Sequence, residues 1–203
     1  MQHPVVGRTG GAHVDRLIDL SDEELARLGR DDHAAFETLY YRYVTQVYRY
    51  CYVRTNSVAD AEDLTSQTFM GALESLAGYH GRGSFPAWLF GIARRKCADY
   101  HRRAYKPGSD RDMASLETGD DEALQVADPE AEDPETRAVH NAFMDCVERM
   151  LPQLSPDRRE ALHLRYWGDR SIHEVAVVMR KTEAAIKMLV SRAIADLKER
   201  CVQ

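Results

Sequence analysis

Apolar residues along this chain recur at helical spacing and nowhere alternate over a useful length, so the pattern predicts an all-α protein. From Ser21 the pattern turns helical, and Phe36, Leu39, Tyr40, Tyr43, Val44, Val47, Tyr48 and Cys51 make one stripe along a long helix. The Asn56-Ser57 turn ends it. Ser57 with Asp60 then offers a capping box for a helix that runs to Ala77 and carries Leu64, Phe69, Leu73 and Leu76. Gly78 is placed to stop that helix in a left-handed C-cap. After the loop Tyr79-His-Gly-Arg-Gly-Ser-Phe-Pro86 comes a third helix, whose buried side is Phe85, Trp88, Leu89, Ile92, Ala93 and Tyr100. Periodicity is then lost until Asp133-Pro134, which opens a helix with Phe143, Val147, Met150 and Leu151. Ser155-Pro156, a cap followed by proline at the first helical position, starts another that reaches Tyr166-Trp167.

The clearest local signal lies between Ser171 and Arg192. Ser171 caps a short helix, and Glu174 three residues later completes a capping box. Thr182 restarts the chain as the N-cap of a helix to about Arg200, with Ile186, Leu189, Val190, Ala193, Ile194 and Leu197 on its buried stripe. Glu183, Lys187, Ser191 and Arg192 fall on the outer face. A short helix, a tight turn and a longer helix with a polar front form the helix-turn-helix layout, whose second helix enters the major groove of duplex DNA.

These elements divide the chain into a mobile N-terminal arm (1–18), a helical domain (19–106), an acidic linker (107–137) and a second helical domain (138–203) that contains the helix-turn-helix. The fold class is thus all-α, two small helical domains joined by a flexible linker. Charge reinforces the division. The 203 residues carry a net charge of −6, yet between Gly108 and Thr136 eleven acids face Arg111 alone, so that segment holds −10 and the rest of the chain +4. With Pro107, Pro129, Pro134, Gly108 and Gly119 and no apolar rhythm, the segment cannot bury enough surface to offset its ordering entropy. No apolar run approaches the roughly 20 residues that span a bilayer, so no membrane role is expected. The four cysteines are far apart with no CxxC pair, which argues against a disulfide framework or zinc site and for a reducing cytoplasm.

From Arg82 to Lys106 the basic residues are Arg82, Arg94, Arg95, Lys96, Arg102, Arg103 and Lys106, with Asp99 the lone acid. Arg95 and Arg102, seven apart, share a face away from Trp88 and Ile92, with His101 and Tyr105 interleaved. Arginines neutralise phosphates and rings stack on bases, so this ridge suits nucleic acid. The preceding helix is different, with Asp60, Glu62, Asp63, Ser66, Gln67 and Glu74 around its core stripe, a face that suits either solvent or a protein partner. His140, His163 and His173 share no ligand spacing, and no phosphate loop or nucleophile elbow occurs. No metal, cofactor or catalytic residue is therefore assigned, and the chain is not expected to be an enzyme.

Two stretches, Asp60-Ala-Glu-Asp-Leu-Thr-Ser-Gln-Thr-Phe69 and Ser84-Phe-Pro-Ala-Trp-Leu-Phe-Gly-Ile-Ala-Arg-Arg-Lys-Cys-Ala-Asp-Tyr-His-Arg-Arg103, resemble the second domain of the extracytoplasmic-function sigma factors, group 4 of the sigma-70 family. Leu154-Ser-Pro-Asp-Arg-Arg-Glu160 through Tyr166 to the helix-turn-helix is similar to their fourth domain. The resemblance covers about residues 20–104 and 138–200, in that order and with no third domain between. It implies a dissociable, non-catalytic initiation subunit of RNA polymerase that reads promoter DNA. On this basis Tyr79, His80, Arg82, Ser84, Arg94, Arg95, Arg102 and Arg103 would serve the −10 element. Arg180, Thr182, Lys187, Met188, Ser191 and Arg192 would serve the −35 element. Asp60, Asp63, Ser66 and Gln67 would dock on the clamp helices of the largest polymerase subunit, while the fourth domain meets the flap of the second largest. An anti-sigma factor is a candidate regulator. The linker would thread toward the RNA exit path, where its carboxylates suit a channel built for polyanionic RNA.

Several positions depart from the family pattern. Ser66 and Gln67 stand where a fuller carboxylate is common, Arg82 where an acid is frequent, and Arg95 where an asparagine often follows the Ile-Ala-Arg run. Met188 and Ser191 differ in kind, Leu189 replaces a frequent arginine, and Arg180 replaces the turn glycine and must adopt a left-handed backbone or reshape the turn. The main alternative is a sigma mimic that sequesters an anti-sigma factor without touching DNA. A dimeric helix-turn-helix repressor is a further one. The cationic ridge and Lys187/Arg192 disfavour the mimic, and the lack of a dimerisation helix disfavours the repressor.

Overall fold

The computed structural model describes residues 16–81, 83–104 and 134–201, and among these every regular element is helical. The predicted N-terminal arm through residue 15, the acidic segment from 105 to 133 and Arg82 lie outside the described residues. The N-terminal module contains α1 (Asp22–Leu28), α2 (His33–Thr55), α3 (Val58–Ser75) and α4 (Phe85–Ala104). The C-terminal module contains α5 (Pro134–Met150), α6 (Pro156–Leu162), α7 (Ile172–Met179) and α8 (Glu183–Cys201).

The long helix with the Phe36–Cys51 stripe is α2, and the helical pattern from Ser21 up to it is a separate helix, α1. Ser21 and Glu24 cap α1 reciprocally, and the Asp32 side chain accepts from the Ala34 amide at 2.9 Å to start α2. At the corner a Cβ on Gly29 would sit 3.1 Å from the Leu25 carbonyl and 3.2 Å from the Phe36 amide, so the close approach needs glycine. Arg42 clamps the corner by pairing with Asp22 at 2.8 Å and donating to the Ile18 and Leu20 carbonyls at 2.6 and 2.9 Å. The Tyr43 hydroxyl also donates to Asp22.

Asn56 ends α2 in the left-handed conformation (φ 50°), as the turn predicted. Ser57 then caps α3 through the Asp60 amide, but Asp60 does not return the bond: its carboxylate accepts from the Tyr100 hydroxyl at 2.9 Å and ties α3 to α4. Gly78 does not form the expected left-handed C-cap. The helix instead tightens into a 3₁₀ turn, Leu76–Gly78, closed by the Tyr79 amide on the Leu76 carbonyl at 3.1 Å. The left-handed glycines are Gly81 (φ 68°) and Gly83 (φ 88°), in the loop that follows. Leu73, placed by periodicity in the core stripe, is 42 % exposed.

The cysteines depart most from expectation. Cys146 of α5 and Cys201 of α8 form a disulfide that closes the C-terminal module, joining residues 55 apart in sequence. Cys51 and Cys97 are free and buried, with their sulfurs 3.9 Å apart between α2 and α4. Sequence spacing gives no hint of either pairing, because both are made by helix packing.

The modules are not independent beads. Their buried apolar residues form one continuous cluster, with α7 packed on α4 and a π-helical turn, His163–Trp167, packed on α2. Gly168 follows that turn, and a Cβ there would lie 2.7 Å from the Phe90 ring of α4.

Two stability predictions follow from this packing. Cross-linking a loop of this size constrains the unfolded chain by about 2–4 kcal/mol, so dithiothreitol should lower the melting temperature of the wild type but leave Cys201→Ser unaffected. His163 is buried, and neither ring nitrogen has a hydrogen-bond partner among the described residues. Burial, with Arg54 and Arg159 adding, pushes its pKa down to about 3. A group whose pKa is depressed on folding contributes stability above its unfolded value and loses it as pH falls toward the folded one. Between pH 7 and pH 5 the protein should lose about 2 kcal/mol through this group, and urea titrations of His163→Leu should show a flatter pH profile.

Candidate nucleic-acid and partner interfaces

The recognition element is built as its caps predict. The Ser171 amide donates to Glu174 at 2.8 Å, and the Glu174 amide returns a bond to Ser171 Oγ at 3.2 Å. The turn passes through Arg180 at φ 55°, ψ 45°, so this arginine does take the left-handed conformation in place of glycine. The Lys181 amide closes the turn on the Ala176 carbonyl at 3.0 Å, and Thr182 Oγ1 accepts from the Ala185 amide at 3.2 Å. Ile186, Val190, Ala193 and Leu197 bury one stripe of α8, which leaves Lys187, Met188, Ser191 and Arg192 together on its exposed face. Arg180 and Thr182 are exposed at the N-terminal end of the same helix. A cationic front at the N-terminal half of a second helix is what a major groove admits.

The predicted −10 set divides in two. His80, Arg95, Arg102 and Arg103 are exposed, with Arg102 paired to Asp99 at 2.6 Å. Tyr79, by contrast, is buried, its ring 5.7 Å from Phe85 and 5.1 Å from Trp88. Its hydroxyl donates to the Gly83 carbonyl at 3.1 Å, and its own carbonyl accepts from Arg30 at 2.6 Å, so it braces the glycine loop. Arg94 and Ser84 are engaged by the other module: Arg94 Nε lies 3.3 Å from Glu160, and Ser84 Oγ donates to Glu174 at 3.2 Å.

On α3, Asp63 and Ser66 are exposed, and Gln67 donates to Asp63 at 2.7 Å. Asp60 is turned inward by its bond from Tyr100. Sequence reasoning missed the apolar members of this face. Met70 (63 % exposed) and Leu73 lie along the same helix, and Tyr41 (68 % exposed) stands on neighbouring α2. A shallow groove of about 370 Å³, lined by Tyr40, Val44, Tyr48, Glu62 and Ser66, runs between α2 and α3. Exposed large apolar residues beside carboxylates mark a protein-docking surface more specifically than the acids alone. The available signal was Met70, an apolar residue that falls at helical spacing from Asp63, Ser66, Gln67 and Glu74. No cluster of His, Cys, Asp and Glu that could hold a metal ion occurs among the described residues, nor does any helix there suit a membrane span.

Comparison with known proteins bears on both modules. Sigma-70 region 2 matches residues 39–106, and Sigma-70, region 4 matches residues 144–197. The chain is 38 % identical over 185 residues to the ECF RNA polymerase sigma factor BldN of Streptomyces coelicolor, covering 90 % of this chain and 64 % of that relative's length. It is 30 % identical to the ECF RNA polymerase sigma factor SigD of Mycobacterium tuberculosis over 77 % of this chain and 72 % of the other. The fold is similar to that of the sigma factor RpoE from Bartonella quintana, solved with the anti-sigma factor NepR (TM-score 0.60, 24 % identity, 81 % of this chain and 94 % of that one).

The left-handed Arg180 yields a separable prediction. A non-glycine residue pays about 1–2 kcal/mol in this conformation, so Arg180→Gly should raise the chemical-denaturation midpoint by roughly 1 kcal/mol equivalent. If Arg180 also meets a phosphate, the same variant should bind −35 duplex more weakly, and filter binding reads that effect independently of stability.

Proposed function

We propose that this chain, a member of the extracytoplasmic-function sigma factors of the sigma-70 family, directs transcription initiation by binding core RNA polymerase and reading two promoter elements. The observation that carries this reading is the exposed set Lys187, Met188, Ser191 and Arg192 on one face of a capped recognition helix, in a molecule that also displays Arg95, Arg102 and Arg103 on a second helix. The division of labour follows. Residues 19–106 supply the −10 and polymerase contacts, 107–137 link, and 138–203 take the −35 duplex.

Within this assignment, the arginines on α4 neutralise phosphates, and the glycine loop braced by Tyr79 offers a place for an extruded base. Unstacking a base costs a few kcal/mol, which such a pocket must return. Arg82 belongs to the same loop in sequence. Asp63, Ser66 and Gln67, with Met70 beside them, form the surface offered to the clamp helices of the largest polymerase subunit. An acidic rim with an apolar centre suits a basic helical partner. The fourth-domain surface is assigned to the flap of the second-largest subunit. Such a subunit performs no covalent chemistry of its own and acts in the cytoplasm, beside polymerase. An anti-sigma factor is a fitting regulator, by analogy with the relative solved in such a complex.

Run-off transcription with purified core polymerase on a promoter library tests the reading. Product that depends on this chain is the expected result; inhibition of another sigma factor's output without product would instead identify a decoy. Lys187→Ala and Arg192→Ala should each weaken −35 duplex binding. Where the lost contact is a phosphate, the slope of log affinity against log salt should become shallower by about 0.9. An unchanged slope together with unchanged promoter output would remove that residue from the interface.

A further inference from the structure

We propose that Met188 selects thymine in the −35 element by covering the 5-methyl group of that base, an inference that rests on assigning α8 to the −35 duplex. Met188 is 51 % exposed, whereas Ile186, Val190 and Leu197 of the same helix are buried. At about 100° per residue, the buried stripe of Ile186, Val190, Ala193 and Leu197 centres on one side of α8, and Met188 falls about 10° from the opposite direction. By the same count Ser191 and Arg192 stand about 50° to either side of that direction, and Lys187 about 90° from it on the Ser191 side.

The centre of the exposed front is therefore a thioether, and the cations stand at its sides. A recognition helix lowered into the major groove with its outward line toward the bases puts Arg192 toward one phosphate wall and Lys187 toward the other. There, charge positions the helix without reading sequence. The nearest other charges are already paired: Glu183 with His173 at 2.9 Å, and Lys181 with Asp157 at 3.0 Å. Readout at the middle of the front falls to Met188.

The major-groove edges of the base pairs present hydrogen-bond donors and acceptors, and thymine alone adds an apolar group, its C5 methyl. A methionine thioether donates nothing and accepts only weakly. Over guanine or cytosine it would leave O6, N7 or the N4 amino group without a partner, and over thymine it gains contact with the methyl. Discrimination thus has two parts, attraction to one base and unpaired polar atoms at the others. The unbranched methionine chain adjusts to the height of the methyl. Ala184 is exposed near the same outward line, about 6 Å along the axis from Met188. That is less than two base-pair steps of about 3.4 Å, so methyl sensitivity spans one or two neighbouring thymines.

The test uses holoenzyme assembled from core polymerase and the full chain, on the promoter that gives most product in the run-off library. Each thymine of its −35 element is replaced in turn by deoxyuridine, which removes the methyl and keeps every hydrogen-bonding atom. Affinity, read by anisotropy of the labelled promoter duplex, should fall about fourfold per contacted methyl, at one or two neighbouring positions. Met188→Ala should weaken binding to the thymine promoter and erase the difference between thymine and deoxyuridine, while Met188→Leu should keep that difference. Met188→Gln, of similar length but polar, should also erase it, and serves if circular dichroism shows that the alanine variant does not fold. Equal affinity of the wild type for thymine and deoxyuridine promoters, a −35 element without thymine, or a difference that survives Met188→Ala overturns the methyl contact. A wild type that yields no promoter-dependent product with core polymerase overturns the assignment of α8 to DNA instead, so the two failures are told apart.

Discussion

A carboxylate removed from water must be paired or it forces the structure apart, and Glu160 satisfies that constraint with side chains from the other module. Tyr50, Arg54 and Arg94 surround it, residues more than 60 positions away in sequence, so the relative placement of the two heads is tied to this one group. Burial pushes the Tyr50 phenol pKa up, which keeps its hydroxyl protonated and able to donate. Gly168 passes close to α4, and a Cβ there would lie 2.7 Å from the Phe90 ring and 2.9 Å from the Leu164 carbonyl, so this approach of the two modules needs glycine. His163, one turn along from Glu160, shares the space and stays neutral because Arg54 and Arg159 add to the cost of charging it.

What the sequence made legible was local. Ser171 with Glu174, Thr182 and Asn56 act on amides and carbonyls within a few residues, so their roles can be read without knowing the rest of the fold. The left-handed backbone at Arg180 was one of two options that came with the family resemblance, in which it stands in place of the turn glycine. The misreadings have equally physical causes. The corner at Gly29, which no local signal marked, is set by packing against Phe36 and by Arg42 reaching back to carbonyls more than twenty residues earlier. Gly78 looked like a C-cap because it stands where a helix should stop, but a 3₁₀ turn satisfies the last carbonyls without a left-handed residue. The cysteine pairs and the Glu160 joint are products of tertiary packing, and residues that look like solvent-facing charges in sequence become partners only when two helices meet.

The two cationic helix faces consequently differ in their surroundings, although composition made them look alike. Lys187, Met188, Ser191 and Arg192 project from α8 with no demand on the rest of the molecule, since the stripe of Ile186, Val190 and Ala193 alone orients them. On α4 the ridge is split: Arg95 and Arg103 face outward, while Arg94, one residue from Arg95 and so rotated by about a quarter turn or more, faces the joint. Membership of the sigma-70 family explains why such surfaces coexist in one chain. It does not dictate that Arg94 and Ser84 should be held by Glu160 and Glu174, which depends on those two carboxylates in the positions they occupy here.

The composition of the joint also bears on whether it can open. An apolar interface of similar extent would expose a patch prone to association once separated. Here the polar groups at the joint are two glutamates, three arginines and a serine, set beside aromatic rings and the apolar cluster that the two modules share. Closure therefore gains little from desolvating the charges themselves, because pairing mainly repays the cost of burying them. Its net strength comes from the apolar cluster that the two modules share, together with the contacts of Phe90, Tyr43 and Arg170.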